Sequence, residues 1–502
     1  MNENDPKNII VWLDFSAYAY INFGVISELN KLNKFNFIGI VSSKSDLDFF
    51  KNQKIISFKK LIYFPECYNN QSSYNIENLK LMEKKYELDL WQNIFSERYF
   101  YKYWKNFHKY SKNEILTITE KILIFLDQVV EKYEPELIIM QQAGENIANL
   151  LLYKIAKYSD TKILMPTLVH MQNRIAISED LASREISNKF LEKKDEKSTE
   201  KQIYDYNYIN TKNEGTLKTV FKYQYQTNFG QKIKHYFKRI RNEPESVYQN
   251  SGKTRYNMFK HRIRKFFAIK KIESFLDKNA IKSIENEKFF YFPLASEPEA
   301  RILASSPYYS NQISLIENIA KAIPIDTVLY VKEHPVQKIK LWRTMNEYQK
   351  ILALPNVKLV HPNTQSEELL KMCQGIISIS GGTGFEGLFY QKPVFLFSDE
   401  FYDVLSTVTK IEILSKLPEY IENTLSNFKF ENQEFNKFME SFNEETIPIP
   451  YHSMIKDGNM ISSIQMYDND YKLTLKHINK FFDVHKNDFQ LMAKKIFEKI
   501  QK

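Results

Sequence analysis

Residues 326–403 constrain the fold more than any other part of the chain, because short β-branched or aromatic runs alternate there with helical patterns. The runs are 328–331 (inside DTVLYVKEHP), 357–360 (VKLV), 376–379 (IISI) and 394–397 (VFLF), with helical segments at 341–354, 367–373 and 385–390. A β-α-β-α-β-α-β order predicts a parallel sheet with right-handed crossovers. Ligands of open α/β sheets lie at the carboxyl ends of the strands. There the sequence places Lys332-Glu333-His334-Pro335 after one run and Ser380-Gly381-Gly382-Thr383-Gly384 after another. Such exits suit a phosphate-bearing ligand such as a nucleotide sugar.

A chain of 502 residues has room for two or three cores. Runs at 9–13 and 37–41 flank a helical pattern that reaches about Leu32, which reads as the start of a Rossmann-like domain. It lacks the GxGxxG fingerprint, so dinucleotide binding is not expected. A long helix over 115–133 stops before Pro135, as the restriction on a residue preceding proline requires. A strand at 137–140, an exit loop at 141–145, a helix at 147–158 and a strand at 162–165 add another parallel unit. Residues 182–213 are charged and without strand patterns, placing the first domain's end near Ser187. The second domain opens at FFYFPL (289–294), and a helix near 311–322 leads into the central stretch. After Tyr402 the pattern is mostly helical, and an amphipathic helix over 487–500 can pack back on the first domain. The expected units are 1–187, 188–285, 286–425 and 426–502.

Only Cys67 and Cys373 occur, so no disulfide framework is implied and a reducing compartment fits. The first residues lack a basic n-region, and the 9–13 run is too short for a signal peptide or a membrane span, so a cytoplasmic protein is expected. The net charge of +9 is concentrated: residues 216–272 hold 15 Lys and Arg against Glu243 and Glu245, a local +13. Phe259, Ile263, Phe266 and Phe267 recur there at helical spacing with Lys260, Arg262, Arg264 and Lys265 between them. No nucleic-acid module accompanies this basic helix, so the expected partner is an anionic membrane surface, with Arg262, Arg264 and Lys265 engaging it. Alternatively Phe259, Ile263 and Phe267 pack on the second domain.

A histidine just past a strand and followed by proline can bind a phosphate oxygen or protonate a leaving phosphate, and Lys332 adds charge beside His334. His361-Pro362 repeats the dipeptide one strand later. In Ser380-Gly-Gly-Thr-Gly384, free N–H groups at a helix start favour an anion, while Thr383 and Glu386 also match a capping box that would satisfy only the first turn. Glu297 and Glu299 flank Pro298 at a strand exit, facing either the cleft or solvent. In the first domain, Glu145 and the segment from Arg174 to Asp180 (RIAISED) supply base or acceptor-side candidates. Asp468-Asn469-Asp470 has the form of a DxD metal site but reads more simply as a turn or helix cap.

YVKEHP, PNVKLVHP and ISISGGTGFEGLFYQKPVFLFSDEFY together resemble the bacterial capsule polysaccharide biosynthesis glycosyltransferase family, which includes CMP-Kdo transferases of GT-B fold. FPLASEPEA is similar to that family's strand-exit PE motif, and RIAISED to an arginine-containing segment of its first domain. The resemblance implies a GT-B-like α/β fold in which two Rossmann-like domains with parallel sheets face each other across a cleft, here with a basic helical insertion and a helical C-terminal segment. It implies donor nucleotide and phosphate binding by His334, Ser380 and Thr383, with Glu386 near the nucleotide. The chain departs from the family's pattern in the basic insertion and at Gly387, where alanine is more usual. The function expected is sugar transfer from a nucleotide donor, CMP-Kdo being one option, to a growing surface glycan. Lys332, Glu333, His334, Pro335, Ser380, Gly381, Gly382, Thr383, Gly384 and Glu386 would line the donor side. His334 would assist the leaving group, Glu145 or Asp180 would act as base, and no cofactor or obligatory metal is expected. A teichoic-acid-type glycerophosphotransferase, a nucleotide-sugar epimerase and a non-catalytic membrane-associated scaffold are the rivals.

Overall fold

The computed structural model describes residues 6–14, 17–68, 73–98, 100, 109–171, 173–194, 204–213, 255–297, 299–335, 337, 343–467 and 470–501. The first sheet holds β1 (Asn8–Leu13), β2 (Asn36–Val41), β3 (Phe58–Tyr63), β4 (Leu137–Ile139), β5 (Lys162–Leu168) and β6 (Arg174–Ser178). The second holds β7 (Phe289–Pro293), β8 (Val328–Lys332), β9 (Val357–Val360), β10 (Gly375–Ser378), β11 (Val394–Leu396) and β12 (Val408–Lys410). A final strand, β13 (Thr446–Pro448), returns to the first sheet.

The strand orders are β13-β6-β5-β4-β1-β2-β3 and β12-β11-β10-β7-β8-β9. Both sheets are mostly parallel and flanked by helices, the GT-B-like two-domain architecture. In each, the chain winds outward in one direction and then starts again on the other side of its first strand, which sets a switch point between β1 and β4 and another between β7 and β10. Ligand crevices form at such points, outside the carboxyl ends. Period-two alternation builds a core on each face: Ile9, Val11 and Leu13 enter one cluster while Ile10 and Trp12 enter another, and Phe289 and Tyr291 separate from Phe290 and Phe292 in the same way.

The first sheet departs from the all-parallel expectation at one edge, where β6 runs antiparallel to β5 and β13 antiparallel to β6. The Arg174 guanidinium accounts for this join. It donates to the Thr446 hydroxyl at 2.7 Å and to the carbonyls of Asn443 and Thr446, and lies over the Phe442 ring. Beyond β13, the helices Tyr451–Tyr467 and Lys486–Gln501 cover the helix Ala17–Leu32 of the first domain. The fit is close enough that a methyl group on Gly24 would lie 2.4 Å from the Phe489 ring.

Residues 214–254 of the basic segment, and Asp468 and Asn469 of the DxD pattern, lie outside the described residues. Asp470 caps the helix Tyr471–Val484 by accepting from the Leu473 N–H. The basic helix is present as Arg255–Asn279. Its second half is anchored by Ile272 and Leu276, whereas Ile263 and Phe267 are 46% and 67% exposed.

Candidate functional site

At the second sheet's switch point the residues leaving β7 and β10 include Ser296 and Ser380, whose buried hydroxyls have no hydrogen-bond partner; Ser398, after β11, is a third. Buried polar groups normally find partners, and each unpaired hydroxyl costs about 1–3 kcal/mol, so three at adjacent strand exits mark a place that a polar ligand can complete. Between β10 and the helix Gly382–Leu388, Gly381 has φ +105° and its Cα faces open space, with nothing within 4 Å of an added methyl. Gly384 and Gly387 do different work. A methyl on Gly384 would lie 2.5 Å from the Tyr402 oxygen, and one on Gly387 2.0 Å from Ile376 Cδ1, so packing alone explains glycine where alanine is more usual.

The expected capping box does not form. The helix starts at Gly382 with Gly381 as its cap, so Thr383 lies inside the first turn and no side chain caps it. Glu386 is thereby released from the helix start and interacts instead with Lys332. Burial pushes the Glu386 carboxyl up to about 7 and the Lys332 ammonium down to about 8, each opposed by the other's charge. Lys332 also donates to the Ser366 hydroxyl at 2.6 Å. Two groups that titrate near neutrality at one strand exit can share or pass a proton and hold a charged ligand.

The neighbours of Lys332 differ from it. Glu333 is buried and turned into the domain, with the Arg343 guanidinium 3.0 Å away and the Tyr348 hydroxyl donating at 2.8 Å. Arg343 also donates to the Ala295 carbonyl and lies 3.8 Å from Glu297, which accepts from Gln312 at 2.8 Å. Glu333 and Glu297 therefore hold the exits of β8 and β7 together. His334 and Pro335 follow as a half-buried turn, with the His334 N–H donating to the Glu333 carboxylate. His361 lies 3.4 Å from Asp277, and its Nδ1 accepts from the Asn363 N–H. Glu299 caps the start of the helix Ala300–Ser305 through its backbone only.

At the first sheet's switch point, Asp14 follows β1 and Gln141 follows β4. Gln141 is 1% exposed, yet neither atom of its amide has a partner, and the Gln142 nitrogen and Ser42 hydroxyl nearby in the sheet's exits are also unpaired. Glu145 pairs with Arg98 at 2.6 Å, and its charge adds to burial in pushing the Tyr18 phenol up. Asp180 accepts the N–H groups of Ala182 and Arg184, which shapes the turn after β6.

The two sets of exits meet. A methyl on Gly144 would lie 2.9 Å from Ala304 of the second domain. His170, in the β5–β6 connection, lies 3.0 Å from Arg301 and 3.5 Å from Glu400. Arg184 pairs with Asp403 at 2.6 Å, and the Ser187 hydroxyl donates to the Phe401 carbonyl. His170, Arg301 and Glu400 escaped the sequence reading. Their signal is weak: His170 follows a strand as His334 does, Glu400 lies within FLFSDEFY and Arg301 just after FPLASEPEA, but neither pattern marks them as partners. On the basic helix, Arg264 is exposed and Lys265 half-buried, its pKa lowered by that burial, and the Arg262 side chain lies outside what is described.

Among the described residues no group of three or more His, Cys, Asp or Glu could hold a metal ion, and no helix is long and apolar enough to cross a membrane. A family model described as "Capsule polysaccharide biosynthesis protein" matches residues 196–414. A search of curated proteins found no match. Among solved structures, the beta Kdo 2,7 transferase KpsC of Thermosulfurimonas dismutans aligns at 13% identity and a TM-score of 0.31 over 62% of this chain and 78% of that one. UDP-GlcNAc 2-epimerase of Methanocaldococcus jannaschii aligns at 13% identity and 0.25 over 87% and 99%. Anabaena HepE in complex with UDP and glucose aligns at 9% and 0.30 over 91% and 100%. Likenesses this distant carry no inference about activity.

Proposed function

We propose that this protein is a glycosyltransferase that moves a sugar from a nucleotide donor to a growing capsule or other surface glycan. The observation that carries the reading is the second sheet's exit. There Lys332 and Glu386, held near neutral titration, interact across the exit, an open glycine turn at 380–382 lies beside the unpaired Ser380 hydroxyl, and His334 follows Lys332 in a half-buried turn. Donor phosphates would engage His334, Lys332 and the 380–384 loop, and Glu386 would take the nucleotide's sugar hydroxyls. As the bond from anomeric carbon to phosphate oxygen breaks, the nucleotide takes up the bonding electrons, and Lys332 and His334 stabilise the charge that develops on it. The acceptor hydroxyl attacks that carbon and gives its proton to a carboxylate of the first domain. Glu145 at the β4 exit is the first candidate and Asp180 the second. The unpaired Gln141 amide favours transfer over an epimerase, because it offers an acceptor hydroxyl a partner on the facing side.

The decisive experiment incubates purified protein with CMP-, UDP- and CDP-linked donors, CMP-Kdo first, and follows nucleotide release with and without glycan acceptor. Acceptor-dependent release that disappears in a folded His334→Ala variant is expected. Donor isomerised without release would make it an epimerase, glycerol phosphate transferred from CDP-glycerol a glycerophosphotransferase, and silence across the panel a scaffold. We further propose that the protein works in the cytoplasm, peripheral to the inner face of the membrane, through the basic helix. Its exposed Ile263 and Phe267 stand among cations, each worth roughly 1 kcal/mol at an anionic surface. Cosedimentation with liposomes should then require anionic lipid and fail when Arg262, Arg264 and Lys265 become Glu. Binding that survives that change would make the segment structural.

A further inference from the structure

The loop 398–403, which follows β11, is gripped from both domains. On the second-domain side it fixes both polar groups of Gly381: Glu400 accepts the Gly381 N–H at 2.8 Å, and the Tyr402 hydroxyl donates to the Gly381 carbonyl at 2.9 Å. From the first domain, Arg184 holds Asp403 and Asp399, Ser187 holds the Phe401 carbonyl, and the His170 ring stacks on Phe401 at 5.9 Å. Glu400 is fully buried, and its other carboxylate oxygen lies 2.7 Å from Arg301, which in turn reaches His170 Nε2 at 3.0 Å.

The nearer of two contacts favours one state of the imidazole. His170 Nε2 lies 3.0 Å from the Arg301 guanidinium and 3.5 Å from the Glu400 carboxylate; a guanidinium has only donors, so with Arg301 as the nearer partner Nε2 accepts, the proton sits on Nδ1 and the ring is neutral. Burial and the Arg301 charge lower the His170 pKa, against the opposing pull of Glu400. Nδ1 lies 3.6 Å from where a methyl on Gly382 would stand, so the ring's free donor side borders the turn. His170 also holds φ at +58°, a conformation that non-glycine residues seldom adopt unless surrounding contacts demand it.

We infer that His170 is a positioning residue of the donor site. Reaching across from the first domain, it orients Arg301 against Glu400, and Glu400 in turn holds the 380–382 turn open for the ligand. This deepens the reading of that turn as part of the nucleotide site and rests on it. The turn is complete only while the two domains are docked, so donor binding and domain docking share one free energy and each favours the other.

The test uses the full chain and two substitutions, His170→Ala and His170→Gln, the latter keeping an acceptor for Arg301. Hydrogen exchange of amides 379–386 should speed up about tenfold in His170→Ala, as loss of one hydrogen bond to a charged group allows, and return towards the wild-type rate in His170→Gln. Amides of β8 should be unaffected. With whichever donor the wild type uses, KM should rise about tenfold in His170→Ala while kcat at saturation changes little. Unchanged exchange at 379–386, or loss of protection across the whole second sheet, overturns the inference. If the wild type binds no nucleotide, the functional reading fails, and exchange at Gly381 still decides what His170 does.

Discussion

The two facing strand exits treat buried polarity in opposite ways. At the second sheet each buried charge has its counterpart within the domain: Glu333 has Arg343 and Tyr348, Glu400 has Arg301, and Lys332 has Ser366 and Glu386. The atoms left without a hydrogen bond there include the hydroxyls of Ser296, Ser380 and Ser398 and the Nε of Arg343, whose other nitrogens are engaged. At the first sheet an entire amide, that of Gln141, is buried without a partner at the switch point itself. The contrast fits a division of labour. On the proposed function, a donor carrying fixed charges would meet a preorganised network that need not rearrange, whereas an uncharged acceptor would meet an amide that any correctly placed hydroxyl can satisfy.

The sharpest test of this contrast removes a partner from the wired side. Glu333→Ala leaves the buried Arg343 with only Glu297, 3.8 Å away, to oppose its charge and should cost about 3–5 kcal/mol in chemical unfolding; a loss below about 1 kcal/mol would mean that Glu333 is not what holds Arg343. Next in size is Glu386. Its folded pKa of about 7 exceeds the ordinary 4.5, so the native state holds the proton more tightly and loses stability as pH rises from about 4.5 to about 7. Lys332 acts in the other direction and over another range: lowered from 10.5 to about 8, it regains stability only as pH rises above 8. Glu386→Gln should therefore remove a decline of about 1–3 kcal/mol between pH 4.5 and 7, measured as a series of unfolding midpoints. A parallel pH profile for variant and wild type would count against the Lys332–Glu386 pair.

On the unwired side the effects should be smaller and of opposite sign. Gln141→Leu replaces an unpaired amide by an apolar group of similar size, so stability should hold or rise by up to about 1 kcal/mol while KM for acceptor increases. A clear loss of stability would show that the amide has a partner after all. Smallest of all, exchanging Arg262, Arg264 and Lys265 for Glu should shift stability by no more than about 0.5 kcal/mol in urea titration, since Arg264 is exposed and Lys265 only half-buried. If that triple change unfolds the protein, the helix belongs to the architecture rather than to a docking surface.

Legibility in the sequence followed the range of the interactions. The runs at 328–331, 357–360 and 376–379 lie within a residue of β8, β9 and β10, because a strand buried on both faces announces itself in consecutive apolar residues. The turn at 380–384 was equally visible from its glycines. By contrast β13 is three residues long and exists through its pairing with β6, some 270 positions earlier, for which Thr446-Ile447-Pro448 gives no local cue. His170, Arg301 and Glu400 are separated by 131 and 99 positions and meet only after both domains have formed. The capping box shows the converse error. Its local pattern was complete, but the left-handed Gly381 starts the helix before Thr383 can cap it.

The return of the chain to its first sheet bears on how the protein reaches its native state. β1 to β6 precede the second domain, whereas β13 and the helices that bury Tyr20, Phe23 and Ile26 follow it. A ribosome would therefore release the second sheet, whose strands are contiguous, before the first could be finished. During that interval the edge at β6 is unpaired and the apolar face of the Ala17–Leu32 helix uncovered, the kind of surface on which nascent chains associate wrongly. Shortening the chain ahead of residue 446 should thus leave a second domain that folds and a first that aggregates. The half with the simpler task would be begun second and completed first.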